Sequence, residues 1–170
     1  GRAGKPADIL CLAKGMTGGT LPLAATLTTE TIYAAFLGEY SEFKAFFHGH
    51  SYTGNPLGCA AAIATLEIFE QEKTLEKLPA KIRRLEEGLN KFRELPDIKA
   101  IRQCGLMAGI ELDRPLEQRT GHKITLEARR RGLITRSLGN TLVVMPPLSV
   151  ENGELDQLVA MLCESARAVL

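Results

Sequence analysis

The stretch Asp8-Ile9-Leu10-Cys11-Leu12-Ala13-Lys14-Gly15-Met16-Thr17-Gly18-Gly19 places one lysine between an apolar run and a glycine-rich turn. A second apolar run, 21–27, follows directly. Lysine is usually excluded from apolar surroundings because burial of an ammonium group is costly. Burial favours the neutral amine, which can attack a carbonyl group. The stretch therefore predicts two buried strands joined by a turn that presents a Schiff-base lysine, with an exposed loop lysine as the alternative.

The composition indicates a globular protein that can bury a hydrophobic core. The chain has 170 residues, of which 45% are hydrophobic, which is enough for one core or two small lobes. Its formal net charge is +1, without a long block of like charges. We therefore expect neither nucleic acid nor a membrane as a partner. The longest apolar run, 57–66, is too short to span a membrane.

The cysteines are scattered along the sequence and form no C-x-x-C pair: Cys11, Cys59, Cys104 and Cys163. This distribution is typical of small buried hydrophobic residues in a reducing compartment. We therefore predict free thiols and a cytoplasmic location.

The hydrophobic pattern predicts an α/β fold with a domain boundary near residue 72. Asn55-Pro56 marks a helix start, because asparagine caps and proline suits the first helical position. Apolar residues then step by three and four over 75–92, which predicts a long amphipathic helix interrupted near Pro79. The other predicted elements are a short helix capped by Thr28 or Thr29, strands over 98–101, 106–112, 133–136 and 141–145 in a mixed sheet, a helix over 120–131, and a final helix capped by Ser149.

Polar side chains in two later segments are candidates for a site around Lys14. Ser51, Tyr52 and Thr53 offer hydroxyls in a glycine-flanked loop before a helix, which suits a phosphate but also suits an ordinary turn. Arg136, at a strand end, suits a substrate carboxylate but also suits an exposed surface charge. Pyridoxal phosphate (PLP) is the aldehyde cofactor that a Schiff-base lysine most often meets.

Two histidines stand close together in the same loop. His48 and His50 flank Gly49, without an acidic or thiol partner nearby in the sequence. Two such residues make a weak metal site, so we predict that they form hydrogen bonds within the loop and that the chain binds no metal.

Three motifs together resemble the class III aminotransferases of PLP fold type I. They are DILCLAKGMTGGTLPLAATL around Lys14, FFHGHSYTGNPLGCAAAIATL over 46–66, and TRSLGNTLVVMPPL over 135–148. The resemblance runs from about Asp8 to the end of the chain. It implies that residues 1–72 are the C-terminal part of a PLP-binding large domain, with the end of its sheet, and that residues 73–170 are a small C-terminal α/β domain.

The resemblance also implies a role for individual residues. Lys14 takes the place of the lysine that bonds PLP covalently and transfers protons, and Arg136 takes that of the arginine that binds the keto-acid carboxylate. Ser51 stands where a threonine usually contacts the PLP phosphate of the neighbouring subunit, so a homodimer is expected. Gly49 and His50 are expected beside the cofactor, and Gly49 is also expected to contact the substrate. Many members have a proline at the position of His50, and this departure leaves the amino donor open.

Within the family, the sequence around Lys14 is most similar to that of the members that act in biotin biosynthesis. We therefore expect amino transfer to 8-amino-7-oxononanoate, with S-adenosylmethionine or lysine as donor. The alternatives are an ω-aminotransferase acting on ornithine or 4-aminobutyrate, and a non-catalytic association domain. Because the chain begins Gly1-Arg2-Ala3-Gly4 and the family's phosphate cup and pyridine-binding aspartate lie upstream of the lysine, we expect a C-terminal fragment that is inactive alone.

Overall fold

A computed structural model describes residues 6–170 of the chain. The chain divides into two compact units, Gly1–Glu72 and Lys73–Leu170, which we call unit 1 and unit 2 and describe separately. The assignment of these residues to a large cofactor domain and a small C-terminal domain stays a prediction. No helix among the described residues is both long enough and apolar enough to cross a membrane.

Unit 1 is built around a short antiparallel strand pair and one long helix. Strand β1 (Ile9–Leu12) pairs with β2 (Ala25–Thr28), and a 3-10 turn over Lys14–Thr17 follows β1 directly. The strand after the lysine thus begins later than the apolar run predicts, because 21–24 forms an extended link. The remaining elements are α1 (Glu30–Ala34), a 3-10 turn (Tyr40–Glu42) and α2 (Pro56–Gln71).

The strands of unit 1 are exposed, and the prediction of two buried strands is wrong for this chain. Ile9 is 57% exposed, and Leu10 and Leu27 are similarly open. The sheet of unit 1 has only two strands, and the described residues of the unit are too few to cover both of its faces. An apolar run indicates a strand but does not supply the layer that buries it.

Unit 2 is an antiparallel sheet covered by three helices. The sheet has the order β3-β4-β6-β5, with every neighbouring pair antiparallel, so the mixed sheet expected from the sequence is wrong. Two hairpins, β3 to β4 and β5 to β6, dictate this arrangement. The elements are α3 (Thr74–Leu89), a 3-10 turn (Asn90–Glu94), β3 (Ile98–Cys104), β4 (Met107–Leu112), a 3-10 turn (Leu116–Gln118), α4 (Thr120–Arg130), β5 (Arg136–Leu138), β6 (Thr141–Val144) and α5 (Asn152–Val169).

The hydrophobic core lies in unit 2, where amphipathic helices and the sheet bury their apolar faces together. Alternate residues of β4 point inward, as expected for a sheet with one solvated face. Arg84 of α3 and Asp156 of α5 form a bidentate ion pair, with Nη2 to Oδ2 at 2.5 Å, at the rim of this core. The fully buried side chains include Leu85, Phe92, Ile110, Ile124, Leu142, Leu155 and Leu162.

Three element boundaries in unit 2 differ from the sequence prediction. Helix α3 continues through Pro79, and its apolar stripe, from Leu78 to Leu89, packs against the hydrophobic core. Strand β5 begins at Arg136, so the hairpin turn is shorter than predicted. Helix α5 is capped by Glu151 instead of Ser149: the Glu151 carboxylate accepts from the backbone N–H of Glu154, whose own carboxylate accepts from the Glu151 N–H at 2.9 Å.

The cysteines do not share one environment. All four thiols are free, with Cys163 buried and Cys59 half-buried, but Cys11 and Cys104 are exposed. The prediction of burial is wrong for these two, because Cys11 lies on the open strand β1 and Cys104 lies at the end of β3, beside the hairpin turn. Burial raises the pKa of the Cys163 thiol.

Replacement of a buried isoleucine tests the location of the core. Ile110 of β4 is 0% exposed, whereas Ile134 is 82% exposed. We expect Ile110→Ala to lower the free energy of unfolding by about 2–5 kcal/mol, because the change removes buried methyl groups and leaves a cavity. The matched change Ile134→Ala is expected to alter it by no more than about 0.5 kcal/mol. Urea unfolding followed by circular dichroism measures both, and equal losses would contradict the core described above.

Candidate active site

Lys14 occupies an unusual backbone conformation at the end of β1. Its φ is 53°, in the left-handed region that residues with a side chain rarely adopt. Such a conformation costs roughly 1–2 kcal/mol for an L-residue and persists only where surrounding contacts fix it. The side chain of Lys14 therefore leaves the chain in a direction that an ordinary strand end would not give.

A buried threonine closes the turn after the lysine. Thr17 is 1% exposed, and its hydroxyl donates to the Leu21 carbonyl at 2.6 Å while accepting from the Leu21 N–H at 3.4 Å. Thr20 in turn donates to the Thr17 carbonyl at 2.7 Å. This small network satisfies a buried hydroxyl and fixes the path of the backbone between Lys14 and the link to β2.

Helix α2 packs closely on the lysine turn. A Cβ at Gly18 would lie 3.4 Å from the Thr65 hydroxyl oxygen. A Cβ at Gly58, the buried residue of α2, would lie 2.8 Å from Asn55 Nδ2 and 3.3 Å from a methyl group of Leu23. Glycine at 58 thus lets the helix start approach the segment that follows the lysine turn.

The loop before α2 is a series of hydrogen-bonded turns. His50 and Thr53 are joined twice, since the Thr53 N–H donates to the His50 carbonyl and the His50 N–H donates to Thr53 Oγ1, each at 3.0 Å. His50 Nδ1 also accepts from the Tyr52 N–H at 3.1 Å. Asn55 then caps α2 by accepting from the Gly58 N–H at 3.1 Å. The prediction that the loop histidines form hydrogen bonds is confirmed for His50.

The lysine turn and this loop line one open cleft of about 870 Å³ in unit 1. Of the predicted site residues, Lys14, Gly49 and His50 lie on its wall. Ser51 does not line the cleft, and it lies exposed at the middle of the His50–Thr53 turn. The complete lining is Ala13, Lys14, Leu21, Pro22, Leu23, Ala24, Thr26, His48, Gly49, His50, Tyr52, Thr53, Gly54 and Asn55.

Lys14 is exposed in the cleft, so the expectation of a buried lysine is wrong for this chain. None of the ion pairs among the described residues includes Lys14. Lys14 therefore lines the cleft without an ion pair to a described carboxylate.

Arg136 lies in unit 2, on the wall of a cavity of about 580 Å³. The cavity is mostly apolar, and its other charged side chain, Glu154, accepts the capping hydrogen bond of α5. Arg136 is exposed, and no described carboxylate forms an ion pair with it. Such a cavity suits an apolar chain that ends in a carboxylate. The lining is Leu133, Ile134, Thr135, Arg136, Val143, Val144, Met145, Pro146, Pro147, Val150, Glu154 and Leu158.

The chemistry of the unit 1 cleft fits part of PLP. Lys14 offers an amine for an aldehyde, and the hydroxyls of Tyr52 and Thr53 on the same wall can donate to an anion. These groups suit the aldehyde and the phosphate. The described residues suit PLP better than a metal ion, because no three His, Cys, Asp or Glu side chains come together in residues 6–170.

Sequence reasoning did not identify the residues that hold the site in place. Thr17 is a small polar residue in a glycine-rich turn, and nothing in the sequence marks it as buried. Gly58 lies three residues after the N-cap Asn55, and this spacing was the available signal that its amide is capped and that a side chain there has no room. Glu154 and Leu158 reach the Arg136 cavity from α5, a contact that sequence spacing does not reveal.

Comparison with known proteins identifies the family. The family model described as aminotransferase class-III matches residues 2–165. The chain belongs to the class-III aminotransferases. The resemblance drawn from the three motifs is thereby confirmed, as is the α/β fold, since solved transaminase structures superpose on the chain with TM-scores between 0.83 and 0.90.

Three individual relatives show how similar the chain is to particular members of the family. The chain is 56% identical over 160 residues to adenosylmethionine-8-amino-7-oxononanoate aminotransferase of Nitratidesulfovibrio vulgaris, a match that covers 89% of this chain and 30% of the relative. The crystal structure of the Methanocaldococcus jannaschii protein of that name is 44% identical, has a TM-score of 0.90, and is matched over 95% of this chain and 39% of its own. An amine transaminase of an uncultivated Pseudomonas species, solved in its PLP-bound form, is 30% identical with a TM-score of 0.83, over 96% of this chain and 39% of its own.

The chain thus spans about a third of the length of the curated relatives that it matches. A structural relative binds PLP. The activity, substrates and assembly of the complete protein are therefore proposals.

The close approach at Gly58 can be tested by adding a methyl group. Gly58→Ala is expected to displace the Asn55 side chain and to speed hydrogen exchange of the amide at position 58 about 2- to 30-fold, which corresponds to the usual cost of losing an N-cap. Gly15→Ala is the matched control, because no atom lies within 4 Å of a Cβ there. Hydrogen exchange measured by mass spectrometry compares the two variants. Unchanged protection of the amide at position 58 in Gly58→Ala would show that the helix start is not closely packed there.

Proposed function

We propose that this chain is part of a PLP-dependent aminotransferase that converts 8-amino-7-oxononanoate to 7,8-diaminononanoate in biotin biosynthesis. The observation that carries the proposal is the fixed, left-handed position of Lys14 at a cleft shared with Gly49 and His50. Relatives from five organisms, 56%, 51%, 49%, 49% and 44% identical to the chain, are all named adenosylmethionine-8-amino-7-oxononanoate aminotransferase. This shared name supports 8-amino-7-oxononanoate as the substrate.

Lys14 is proposed as the residue that bonds the cofactor and moves protons. PLP supplies an electron-withdrawing aldehyde and ring that make the α-proton of a bound amine acidic. With PLP bound, the free Lys14 amine would accept that proton at Nζ and donate it to the carbon of the cofactor's aldehyde group.

Ser51 is proposed to bind the PLP phosphate of a partner subunit in a homodimer. Its hydroxyl lies at the middle of the turn, outside the lining of the cleft in its own chain. That position supports a contact made across subunits, as the resemblance implies. Gly49 and His50 are proposed to lie beside the cofactor in the cleft that they line.

Arg136 is proposed to bind the carboxylate of 8-amino-7-oxononanoate. The substrate has an apolar chain that ends in a carboxylate, and the Arg136 cavity has an apolar wall with a guanidinium at its edge. The amino donor is S-adenosylmethionine or lysine, and a complete protein located in the cytoplasm would have access to both.

One specific observation favours a second candidate, an ω-transaminase with a simpler amine donor. An (S)-enantioselective ω-transaminase from Thermomicrobium roseum is 30% identical, with a TM-score of 0.88. The two candidates differ in acceptor. Turnover of 8-amino-7-oxononanoate by the complete protein supports the first proposal, and turnover of small ketones with an amine donor supports the second.

Covalent trapping tests the role of Lys14. When the complete protein is incubated with PLP and reduced with borohydride, we expect a stable pyridoxyl adduct on Lys14, because Lys14 is exposed on the wall of the cleft. Mass spectrometry of peptides locates the adduct. Lys14→Ala is expected to abolish it, and the loop variant Lys44→Ala to leave it unchanged. An adduct that persists in Lys14→Ala would show that the assignment is wrong.

Steady-state kinetics of the complete protein test the role of Arg136. We expect Arg136→Ala to raise the KM for 8-amino-7-oxononanoate about 10- to 100-fold, the usual effect of losing a hydrogen bond to a charged group. Arg129→Ala, which removes an exposed arginine of α4, serves as the matched control. An unchanged KM in Arg136→Ala, with the control also unchanged, would remove Arg136 from the substrate site.

A further inference from the structure

We infer that His50 is a positioning residue: its bare Nδ1 holds the His50–Thr53 turn in the shape that presents Ser51. The inference rests on the proposed function, in which Ser51 binds the cofactor phosphate. It assigns to His50 an action through the backbone, which differs from a direct contact with the cofactor. The observation that carries it is the hydrogen bond from the Tyr52 N–H to His50 Nδ1, at 3.1 Å.

Three hydrogen bonds define this turn, and each of them begins or ends at His50. The Thr53 N–H donates to the His50 carbonyl at 3.0 Å, and the His50 N–H donates to Thr53 Oγ1 at 3.0 Å. The third is the bond from Tyr52 to the imidazole. Ser51 lies between the residues that these three hydrogen bonds join, and its hydroxyl takes part in none of them. The hydroxyl is therefore available to a ligand.

The bond from Tyr52 fixes the tautomer of His50. A ring nitrogen accepts a hydrogen bond only when it carries no proton, so Nδ1 is bare and the proton of the neutral ring is on Nε2. A second proton on the ring would place an N–H at Nδ1, opposite the donating N–H of Tyr52. The turn therefore requires the neutral imidazole.

The imidazole here performs the task that asparagine performs in an Asx turn. In both side chains the acceptor atom is attached to Cγ, and it accepts from the backbone N–H two residues later. Asparagine at position 50 can therefore keep the bond to Tyr52, although it has no ring and does not titrate. Glutamine carries its oxygen one carbon further from the backbone and matches Nε2 instead.

The far end of the turn is anchored independently. The Asn55 N–H donates to the Tyr52 carbonyl at 3.1 Å, and Asn55 caps α2. Loss of the imidazole bond therefore loosens the segment at Ser51 and Tyr52, while the two backbone bonds of His50 with Thr53 and the helix cap stay in place. The consequence is local: Ser51 loses its fixed position, whereas Lys14 and α2 do not.

The test compares His50→Asn, His50→Gln and His50→Leu in the complete protein. We expect hydrogen exchange of the Tyr52 amide to accelerate about 2- to 12-fold in His50→Gln and His50→Leu, the effect of losing one ordinary hydrogen bond, and to stay within about twofold of the parent in His50→Asn. Mass spectrometry with electron-transfer fragmentation reads this amide. Exchange that is equal in all three variants, whether fast or slow, would overturn the inference.

Cofactor binding supplies the second measurement. The dissociation constant of PLP is expected to rise by a similar factor in His50→Gln and His50→Leu, and that of pyridoxal, which lacks the phosphate, to stay constant. Ser51→Ala should reproduce the loss for PLP without changing exchange at Tyr52. Equal losses for PLP and pyridoxal would show that His50 contacts the cofactor ring itself, which contradicts the inference.

Failure of the proposed function has a different signature. If the parent protein binds no PLP, the proposed function and the phosphate role of Ser51 both fall. The exchange pattern at Tyr52 still decides whether Nδ1 holds the turn. If PLP binds and the three variants match the parent in both measurements, the proposed function stands and the role given to His50 is wrong.

Discussion

The close approach of α2 to the lysine turn is the constraint on which unit 1 depends. Gly58 has no side chain, so the helix start lies against Leu23 and Asn55 closes over its amide. On the other side, Gly18 lies beside Thr65 of the same helix. These contacts hold both ends of the segment that carries Lys14, and they explain how a residue with a φ of 53° keeps a conformation that it would leave in a free loop.

The two units are stabilised by different interactions. Unit 2 buries a continuous set of apolar side chains between its sheet and three helices, so most of the hydrophobic stabilisation of the chain lies there. Unit 1 buries Thr17 and Gly58 and leaves its strands exposed, and its order depends on hydrogen bonds within turns. A single hydrogen bond contributes only about 1 kcal/mol, so the geometry around Lys14 depends on many such bonds acting together.

The sequence predicted the elements well where a local rule decides them. Asn55-Pro56 marks the start of α2 because capping and a fixed φ are properties of adjacent residues. The family followed from the motifs around Lys14, since the residue order there is specific. Burial was predicted poorly, as the exposed strand β1 and the exposed Cys104 show. Burial depends on which other segments cover a residue, and a hydrophobic pattern within one segment does not contain that information.

The cap of α5 and the turn at His50 show why side-chain chemistry was harder to predict than element type. At Glu151 a carboxylate takes the role expected of Ser149, and at His50 an imidazole takes the role usual for asparagine. Both substitutions work because a backbone N–H needs only an acceptor at the right distance, whatever residue supplies it. The imidazole differs from the other acceptors in one respect, since it accepts only while it is neutral. The shape of this turn therefore depends on the ring tautomer that leaves His50 Nδ1 free to accept from the Tyr52 N–H.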